Sequence, residues 1–189
     1  MLSNRNPSML YRLIDSLGNN RLFGFIYSRY IRQLNLKGDE QILDFGSGSG
    51  AGARRLAKVL QAGGGRVTCN DVSQYWMRVA EKRLRRFENA DFALGQLPEL
   101  RLREESFDVV TVHYALHEVP ADLRPNIVRE FHRLLKTGGK VCVKEPKREY
   151  DGMPSAEIRG LMAGAGFKEQ EAKDDKRTYQ GVFVKPYKP

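Results

Sequence analysis

The stretch QILDFGSGSGAGARR, residues 41–55, joins a short apolar run to a loop with alternating glycines. The run QILDF is typical of a buried strand, and residues 52–61 carry apolar side chains at helical spacing. Gly46 and Gly48 lack a Cβ, so a ligand can approach their backbone closely and positive φ angles cost little. The same glycines also suit a flexible turn that binds nothing, so the loop alone leaves both interpretations open.

Patterns typical of strands and helices alternate along the rest of the chain. Further strands are predicted at 66–70, 91–95, 107–113 and 141–145. Further helices are predicted from a Ser73 cap to Phe87, over 122–136 with Gly138 closing it, and from a Ser155 cap to Ala165 with Gly166 closing it. The runs 167–172 and 178–185 flank DDKR and predict a hairpin. This order predicts an α/β fold with a mostly parallel sheet, helices on both faces and an antiparallel hairpin at one edge.

The N-terminal residues 8–35 carry apolar and aromatic side chains at helical spacing, and GNN at 18–20 divides them into two predicted helices. The chain of 189 residues suggests a single domain over 1–189. We expect residues 1–36 to form a helical lid and residues 37–189 to form the core. Aromatic residues that either line such a lid or simply pack between helices are Tyr11, Phe23, Phe25, Tyr27 and Tyr30.

The charge of the chain is basic, with 32 Lys and Arg against 23 Asp and Glu, a formal net charge of +9. Such an excess can attract nucleic acid, an anionic membrane surface or an acidic substrate. The basic residues are spread over several segments and form no dense tail, which favours a solvated surface while leaving a nucleic-acid partner open.

The two cysteines, Cys69 and Cys142, lie in strand-like runs without a histidine or second cysteine at metal-ligand spacing. We therefore expect buried, reduced thiols and no metal site. The first ten residues, MLSNRNPSML, lack the basic and apolar regions of a secretory signal, and no apolar run approaches the ~18 residues of a membrane span. The sequence thus predicts a cytoplasmic protein.

Two acids stand where strands are predicted to end. Asp44, two residues before Gly46, would repel a pyrophosphate but suits a ligand that carries an ammonium group. Asp71 follows the second strand, where a carboxylate can accept hydrogen bonds from both hydroxyls of a ribose or can cap the next helix. Nicotinamide and S-adenosylmethionine sites share such an acid, so Asp71 indicates a nucleoside without deciding which. Gly46, Gly48 and Ala51 also satisfy a dinucleotide-binding pattern.

Several segments together resemble the class I S-adenosylmethionine-dependent methyltransferases over about residues 35–185. ILDFGSGSG is similar to their first motif, NDVSQYWMRVAEKR to the second, and LLKTGGKVCVKEP to the helix, turn and fifth strand. LHEV (116–119) is similar to the LHHV of the small-molecule, ubiquinone/menaquinone-biosynthesis-like branch. The resemblance implies a Rossmann-like, doubly wound, mostly parallel sheet of seven strands with an antiparallel C-terminal hairpin, and S-adenosylmethionine as the cofactor.

The resemblance also implies which residues bind the cofactor: Asp44, Gly46, Ser47, Gly48, Asp71, Val72, Gln96, Leu97 and His113. The loop 46–48 would border the methionine part, with Asp44 near its amino group. Asp71 would hold the ribose and Val72 would flank the adenine.

The remaining implied contacts concern the adenine edge and the reacting methyl group. Gln96 stands where the family usually has an acid after a glycine; it keeps an acceptor oxygen but lacks the charge. The backbone N–H of Leu97 could serve the adenine, and His113 would stand near the sulfonium and the entering nucleophile. His113 is therefore the catalytic candidate.

The implied chemistry is an in-line displacement, in which the protein aligns nucleophile, methyl group and sulfur and S-adenosylhomocysteine is the product. A base is needed only if the acceptor must lose a proton, and the candidates at strand ends are His113, Tyr114, His117 and Glu145. HYAL stands where nucleic-acid amino-methyltransferases often carry Asn/Asp-Pro-Pro-aromatic, which favours a small-molecule acceptor. An RNA methyltransferase, a nicotinamide-dependent oxidoreductase and a non-catalytic cofactor-binding protein stay open as alternatives.

Overall fold

The computed structural model describes residues 29–148 and 152–187. Residues 29–33 are helical, and the elements that follow are β1 (Gln41–Phe45), α1 (Ala51–Leu60), β2 (Arg66–Asp71), α2 (Gln74–Leu84), β3 (Ala90–Leu94), β4 (Phe107–His113), α3 (Arg124–Leu134), β5 (Leu135–Pro146), α4 (Ser155–Gly164), β6 (Lys168–Asp174) and β7 (Thr178–Val184). Two short 3₁₀ helices cover Leu97–Glu99 and Leu116–Glu118. Most of the predicted N-terminal helices and lid lies outside the described residues.

The strands form a seven-stranded sheet in the order β3-β2-β1-β4-β5-β7-β6. The pairs β1 with β4, β2 with β3, and β4 with β5 are parallel, whereas β7 is antiparallel to both β5 and β6. The predicted mostly parallel sheet with an antiparallel C-terminal hairpin is therefore confirmed. β4, FDVVTVH, has the near-continuous apolar sequence expected of a strand that is buried on both faces.

The described residues group into two compact units. In the first, residues 29–40 and 47–96, the helices α1 and α2 contact β2 and each other. Leu56, Leu60 and Leu84 are almost fully buried there. Burial of one such leucine side chain contributes about 1.5–3 kcal/mol of transfer free energy. Helical spacing of apolar residues thus becomes a packed helical face.

The second unit contains residues 41–46, 97–148 and 152–187 and has its own apolar core. The rings of Phe45 and Phe131 meet edge to face with their centroids 5.1 Å apart. Tyr179 and Phe183 of β7 are buried in the same core. β6, at the edge of the sheet, exposes every one of its residues, and most of them are charged or polar. A polar edge strand discourages pairing with a further strand.

Several predicted element ends differ from the structure. α2 ends at Leu84, so Phe87 lies beyond it. α3 ends at Leu134 and passes directly into β5, so Gly138 does not close this helix. Instead, Gly138 has a φ of 78° inside β5, and its N–H donates to Lys185 beyond β7, which extends the pairing of these strands. No helix among the described residues is long and apolar enough to cross a membrane.

The last helix begins differently from the prediction. Pro154 is its N-cap and Ser155 is its first residue, with no side-chain capping bond. Proline cannot donate a hydrogen bond and has a fixed φ, both of which suit the start of a helix. Gly166 follows the helix with a φ of 92°, as expected for a glycine after a helix end. Ser73, in contrast, caps α2 as predicted, because its Oγ accepts the N–H of Trp76 at 3.4 Å.

Candidate active site

Asp44 lies near the end of β1 and is held by the neighbouring strand. It pairs in register with Thr111 of β4, whose Oγ1 donates to Asp44 Oδ1 at 2.7 Å. Both side chains are buried. A buried carboxylate needs hydrogen bonds to its oxygens, and the contact from Thr111 supplies one of them. Thr111 was not among the predicted site residues; a hydroxyl amid the apolar FDVVTVH was the available signal.

The second half of the glycine loop belongs to the first unit and is tied to the end of β2. The N–H of Ser47 donates to the Asn70 carbonyl at 2.9 Å, and the N–H of Gly48 donates to Asp71 Oδ2 at 2.8 Å. Asp71 Oδ1 accepts the N–H of Ser73 at 2.8 Å. Burial raises the pKa of Asp71, and the backbone N–H bonds act in the opposite direction. Asp71 therefore joins the loop to the start of α2.

The same carboxylate can still accept further hydrogen bonds. Two carboxylate oxygens provide roughly four lone-pair directions; the N–H groups of Gly48 and Ser73 occupy two of them, and the N–H of Val72 also interacts with the carboxylate. Asp71 thus keeps some acceptor capacity, and its contact with a ribose stays a prediction. Its interaction with Ser73 makes it a local organiser of the backbone, while Ser73 itself serves as the helix cap.

The three loop glycines differ in what surrounds them. A Cβ on Gly46 would overlap that of Ala115, and a Cβ on Gly50 would lie 2.7 Å from Leu84 Cδ1. A Cβ on Gly48 would meet nothing within 4 Å, although the φ of Gly48 is 52°. Gly46 and Gly50 therefore allow close packing inside their own units, whereas Gly48 borders open space. Gly48 thus leaves its backbone bare on this side, close to the Asp71 carboxylate.

Two residues after β2 and β3 stand where the resemblance places the adenine. Val72 is an apolar side chain that is 47% exposed, and Gln96 is half-buried. Asn70 organises this region, since its buried Nδ2 donates to the carbonyls of Ala93 at 2.8 Å and Gly95 at 3.0 Å. Sequence reasoning missed Asn70; an amide inside a strand, directly before the acid, was the available signal.

Leu97, the next residue, begins a 3₁₀ helix in the second unit. Its side chain is 1% exposed and belongs to the apolar core of that unit. Only its backbone could therefore serve a ligand, which agrees with the kind of contact that the resemblance implies.

His113 ends β4 and lies opposite Lys144 of β5. Its ring meets that of Tyr114 edge to face, with centroids 4.6 Å apart. Burial, together with the positive charge of Lys144, lowers the pKa of His113 to about 3. The imidazole is therefore neutral at physiological pH. With a pKa of about 3 it is also a poor general base, because an efficient general base has a pKa near the working pH.

The acid sensitivity of folding tests this assignment. A histidine whose native pKa lies below its unfolded value stabilises the protein fully above about pH 6.5 and loses this contribution as the pH falls towards about 3. The free energy of unfolding should fall by up to about 1.4 kcal/mol per pH unit over this window. His113→Gln should remove that part of the slope in urea denaturation series. Identical slopes below pH 6, with parallel curves above pH 7, would show that His113 is not responsible.

The other base candidates lie just after β4 or near the end of β5. Tyr114 has a φ of 56°, and burial, together with the charge of Glu145, raises the pKa of its phenol, which keeps the hydroxyl protonated. Glu145 is fully buried: its Oε1 accepts the N–H groups of Ala115 and Leu116, and its Oε2 lies 2.6 Å from His117 Nδ1. The contacts of Glu145 are thus directed at the turn after β4.

The cysteine side chains occupy strand interiors. Cys69 and Cys142 are both buried, and no disulfide joins them. Burial raises the pKa of Cys142 to about 12, which disfavours a reactive thiolate. Among residues 29–148 and 152–187, no cluster of His, Cys, Asp and Glu has the arrangement of a metal site.

Comparison with known proteins defines the class. Residues 43–143, more than half of the chain, match the family model described as a methyltransferase domain. The chain belongs to this family, and the predicted membership of the class I S-adenosylmethionine-dependent methyltransferases is confirmed. S-adenosylmethionine is accordingly the cofactor of the family.

Within the class, the chain is similar to a ubiquinone/menaquinone biosynthesis C-methyltransferase of Rickettsia felis. The two are 33% identical over 138 residues, which are 70% of this chain and 53% of the relative. The chain therefore spans about half the length of such curated relatives. The predicted likeness to the ubiquinone/menaquinone branch is confirmed.

Solved structures share the fold. The N-methyltransferase NodS of Bradyrhizobium japonicum, in complex with S-adenosylhomocysteine, has a TM-score of 0.75 at 17% identity, covering 91% of both chains. The [4+2]-cyclase SpnF also has a TM-score of 0.75, at 19% identity, covering 86% of this chain and 81% of the cyclase. At such identities the likeness is one of fold alone.

Proposed function

We propose that this protein transfers the methyl group of S-adenosylmethionine to a small-molecule acceptor. Family membership supports the proposal. Within the structure, one observation carries it: Gly48 borders open space, and its N–H binds the carboxylate of Asp71 at the end of β2. A bare backbone beside an acid with spare acceptor capacity suits a ribose and the chain attached to it.

The proposed contacts to the methionine and ribose parts use the first predicted residues. Asp71 accepts the ribose hydroxyls, and Asp44 attracts the ammonium group of the methionine part. Gly46, Ser47 and Gly48 border the same part through their backbone. A fixed carboxylate suits an ammonium because charge-assisted hydrogen bonds are stronger than neutral ones.

On the adenine side, we propose that Val72 supplies apolar contact and that the Gln96 side chain and the Leu97 N–H supply hydrogen bonds. When bound, S-adenosylmethionine supplies a methyl group that its sulfonium makes electrophilic. His113 is proposed to face the acceptor. With its pKa lowered to about 3, it would act as a neutral hydrogen-bonding group that orients the nucleophile.

The acceptor class follows from the relatives and from one sequence segment. The name of the Rickettsia relative points to quinone rings methylated at carbon. HYAL (113–116), which begins at the last residue of β4, differs from the signature of nucleic-acid amino-methyltransferases. We therefore propose a small aromatic acceptor of the quinol type.

We also propose that residues 1–36 cover this acceptor and that the chain forms a single domain over 1–189. We further propose that the protein acts in the cytoplasm, where thiols such as those of Cys69 and Cys142 stay reduced.

Calorimetry with S-adenosylmethionine and S-adenosylhomocysteine tests the cofactor, with NADH as the comparison ligand. We expect both sulfur ligands to bind and NADH not to bind. A transfer assay with methyl-labelled cofactor and a 1,4-naphthoquinol probe tests the acceptor class. Failure of both sulfur ligands to bind contradicts the proposal. Binding without transfer to any acceptor would instead favour another use of the site, since a [4+2]-cyclase shares the fold.

A further inference from the structure

Glu145 is a fully buried carboxylate whose two oxygens bind three consecutive residues, 115–117. It lies near the end of β5. Its Oε1 accepts the N–H groups of Ala115 at 3.0 Å and Leu116 at 2.7 Å. Its Oε2 lies 2.6 Å from Nδ1 of His117, which donates in this contact. A buried carboxylate is costly unless its oxygens are hydrogen-bonded, so these contacts hold the turn after β4 in one conformation.

Arg124 of α3 holds the same turn from its other end. Its Nη2 donates to the His117 carbonyl at 2.9 Å, and its Nε donates to the Val119 carbonyl at 2.8 Å. Its Nη1 forms an ion pair with Glu157 of α4 at 2.6 Å. The turn 115–119 is thus anchored both to β5 and to α3.

The anchored turn packs closely against Gly46, the first glycine of the loop. A Cβ on Gly46 would overlap the methyl group of Ala115, and Gly46 has a φ of 66°. Ala115 itself is buried, and its N–H is one of those that Glu145 binds. The Ala115 methyl group is therefore the surface that bounds the first glycine of the loop.

We propose that Glu145 is a positioning residue for the cofactor loop. By holding residues 115–117 it keeps the Ala115 methyl group against Gly46 and so sets the backbone conformation of the glycine loop. Glu145 needs no contact with the cofactor for this role. The inference rests on the proposed function, because the loop conformation matters only if the loop binds S-adenosylmethionine.

Two substitutions of Glu145 separate its hydrogen bonds from its charge. Glu145→Gln keeps an acceptor oxygen for the two backbone N–H groups, whereas Glu145→Ala removes it. We expect Glu145→Ala to weaken S-adenosylhomocysteine binding by about tenfold or more in calorimetry, and Glu145→Gln to stay within about threefold of the natural protein. Hydrogen exchange without ligand should be faster at residues 46–48 in Glu145→Ala.

Asp108→Ala is the matched control in the same unit. Asp108 lies near the start of β4, accepts the N–H of Gln41 at 2.8 Å and pairs with Lys136 at 2.7 Å. Its loss should lower the free energy of unfolding without changing ligand affinity. The inference is overturned if folded Glu145→Ala binds and exchanges like the natural protein. An equal loss of affinity in Asp108→Ala also overturns it.

A second set of variants covers the case in which Glu145→Ala does not fold. Ala115→Gly removes only the methyl group and should weaken ligand binding about threefold or more. Gly46→Ala should weaken it further, and adding Ala115→Gly to Gly46→Ala should recover part of the affinity by removing the overlap. The absence of any recovery overturns the inference.

The two proposals fail separately. If the natural protein binds neither S-adenosylmethionine nor S-adenosylhomocysteine, the proposed function fails. The link from Glu145 to Gly46 is then judged by exchange at residues 46–48 and by the coupling of Gly46→Ala with Ala115→Gly in the free energy of unfolding. Additive effects in that cycle and unchanged exchange overturn the link, whatever the ligand result.

Discussion

Replacing Asp71 by alanine is expected to weaken S-adenosylhomocysteine binding by about 100-fold. The proposed contact is a carboxylate that accepts two ribose hydroxyls, and hydrogen bonds to a charged group contribute about 1.5–3 kcal/mol. A loss of about 2.7 kcal/mol corresponds to a factor of about 100 in the dissociation constant. Calorimetry at constant pH measures the loss directly. A value within about threefold of the natural protein would contradict the assignment of Asp71.

Asp71 also has a structural role, so its variants need controls. Loss of the acceptor for the Gly48 and Ser73 N–H groups should lower the free energy of unfolding by about 1–2 kcal/mol. Asp71→Asn keeps one acceptor oxygen and should fall between the alanine variant and the natural protein. Asp91→Ala removes an exposed partner of Arg66 in the same unit and should change neither quantity appreciably. Parallel losses in Asp71→Ala and Asp91→Ala would indicate a nonspecific effect.

Replacing Gly48 by alanine should mainly weaken ligand binding, whereas replacing Gly50 by alanine should mainly lower the free energy of unfolding. Gly48→Ala places its Cβ in open space at a φ of 52°, so the cost to folding is mainly the backbone strain of about 1–2 kcal/mol. The same Cβ occupies the space proposed for the cofactor, so S-adenosylhomocysteine binding should fall by more than about tenfold. Urea denaturation and calorimetry on the same samples measure the two effects.

Gly50→Ala serves as the counterpart. Its Cβ would lie 2.7 Å from Leu84 and 3.0 Å from Ala80, where α1 begins close to α2. Overpacking and backbone strain together should lower the free energy of unfolding by about 2–4 kcal/mol. If Gly48→Ala binds normally, the open space beside Gly48 is not part of the cofactor site. If the two variants lower the free energy of unfolding by the same amount, the contact of the added Cβ with Leu84 and Ala80 does not destabilise Gly50→Ala.

The order of elements was readable from the sequence because local signals agreed with one another. β4 was predicted with the same bounds that the structure has, since FDVVTVH is a largely apolar run rich in valine. Ser73 correctly predicted the start of α2, because its side chain caps the helix by accepting the N–H of Trp76. Local sequence patterns predicted the wrong element end where pairing with a strand distant in sequence determined the backbone conformation. The sequence predicted that Gly138 ends a helix, but it lies in β5 and its N–H donates to the Lys185 carbonyl, just beyond β7.

The candidate site divides in a similar way. The resemblance to the methyltransferase family predicted cofactor contacts for Asp44, Asp71 and the glycine loop, and these contacts stay predictions. The sequence by itself therefore determined the class of fold, because the alternation of strands and helices is a local pattern, and the order of its motifs carried the family resemblance that implies the cofactor. It also pointed to His113, but the lowering of the pKa of this residue depends on burial and on Lys144 in another strand.

Only the tertiary structure decided what each of these residues touches. It separated Gly48, beside open space, from Gly46 and Gly50, which face Ala115 and Leu84. It also turned Glu145 from a candidate base into the anchor of the turn after β4. Residues 46, 115 and 145 are distant in sequence and meet only when strands pair in register. Their steric and hydrogen-bonding relations therefore follow from the packed fold and from no local pattern.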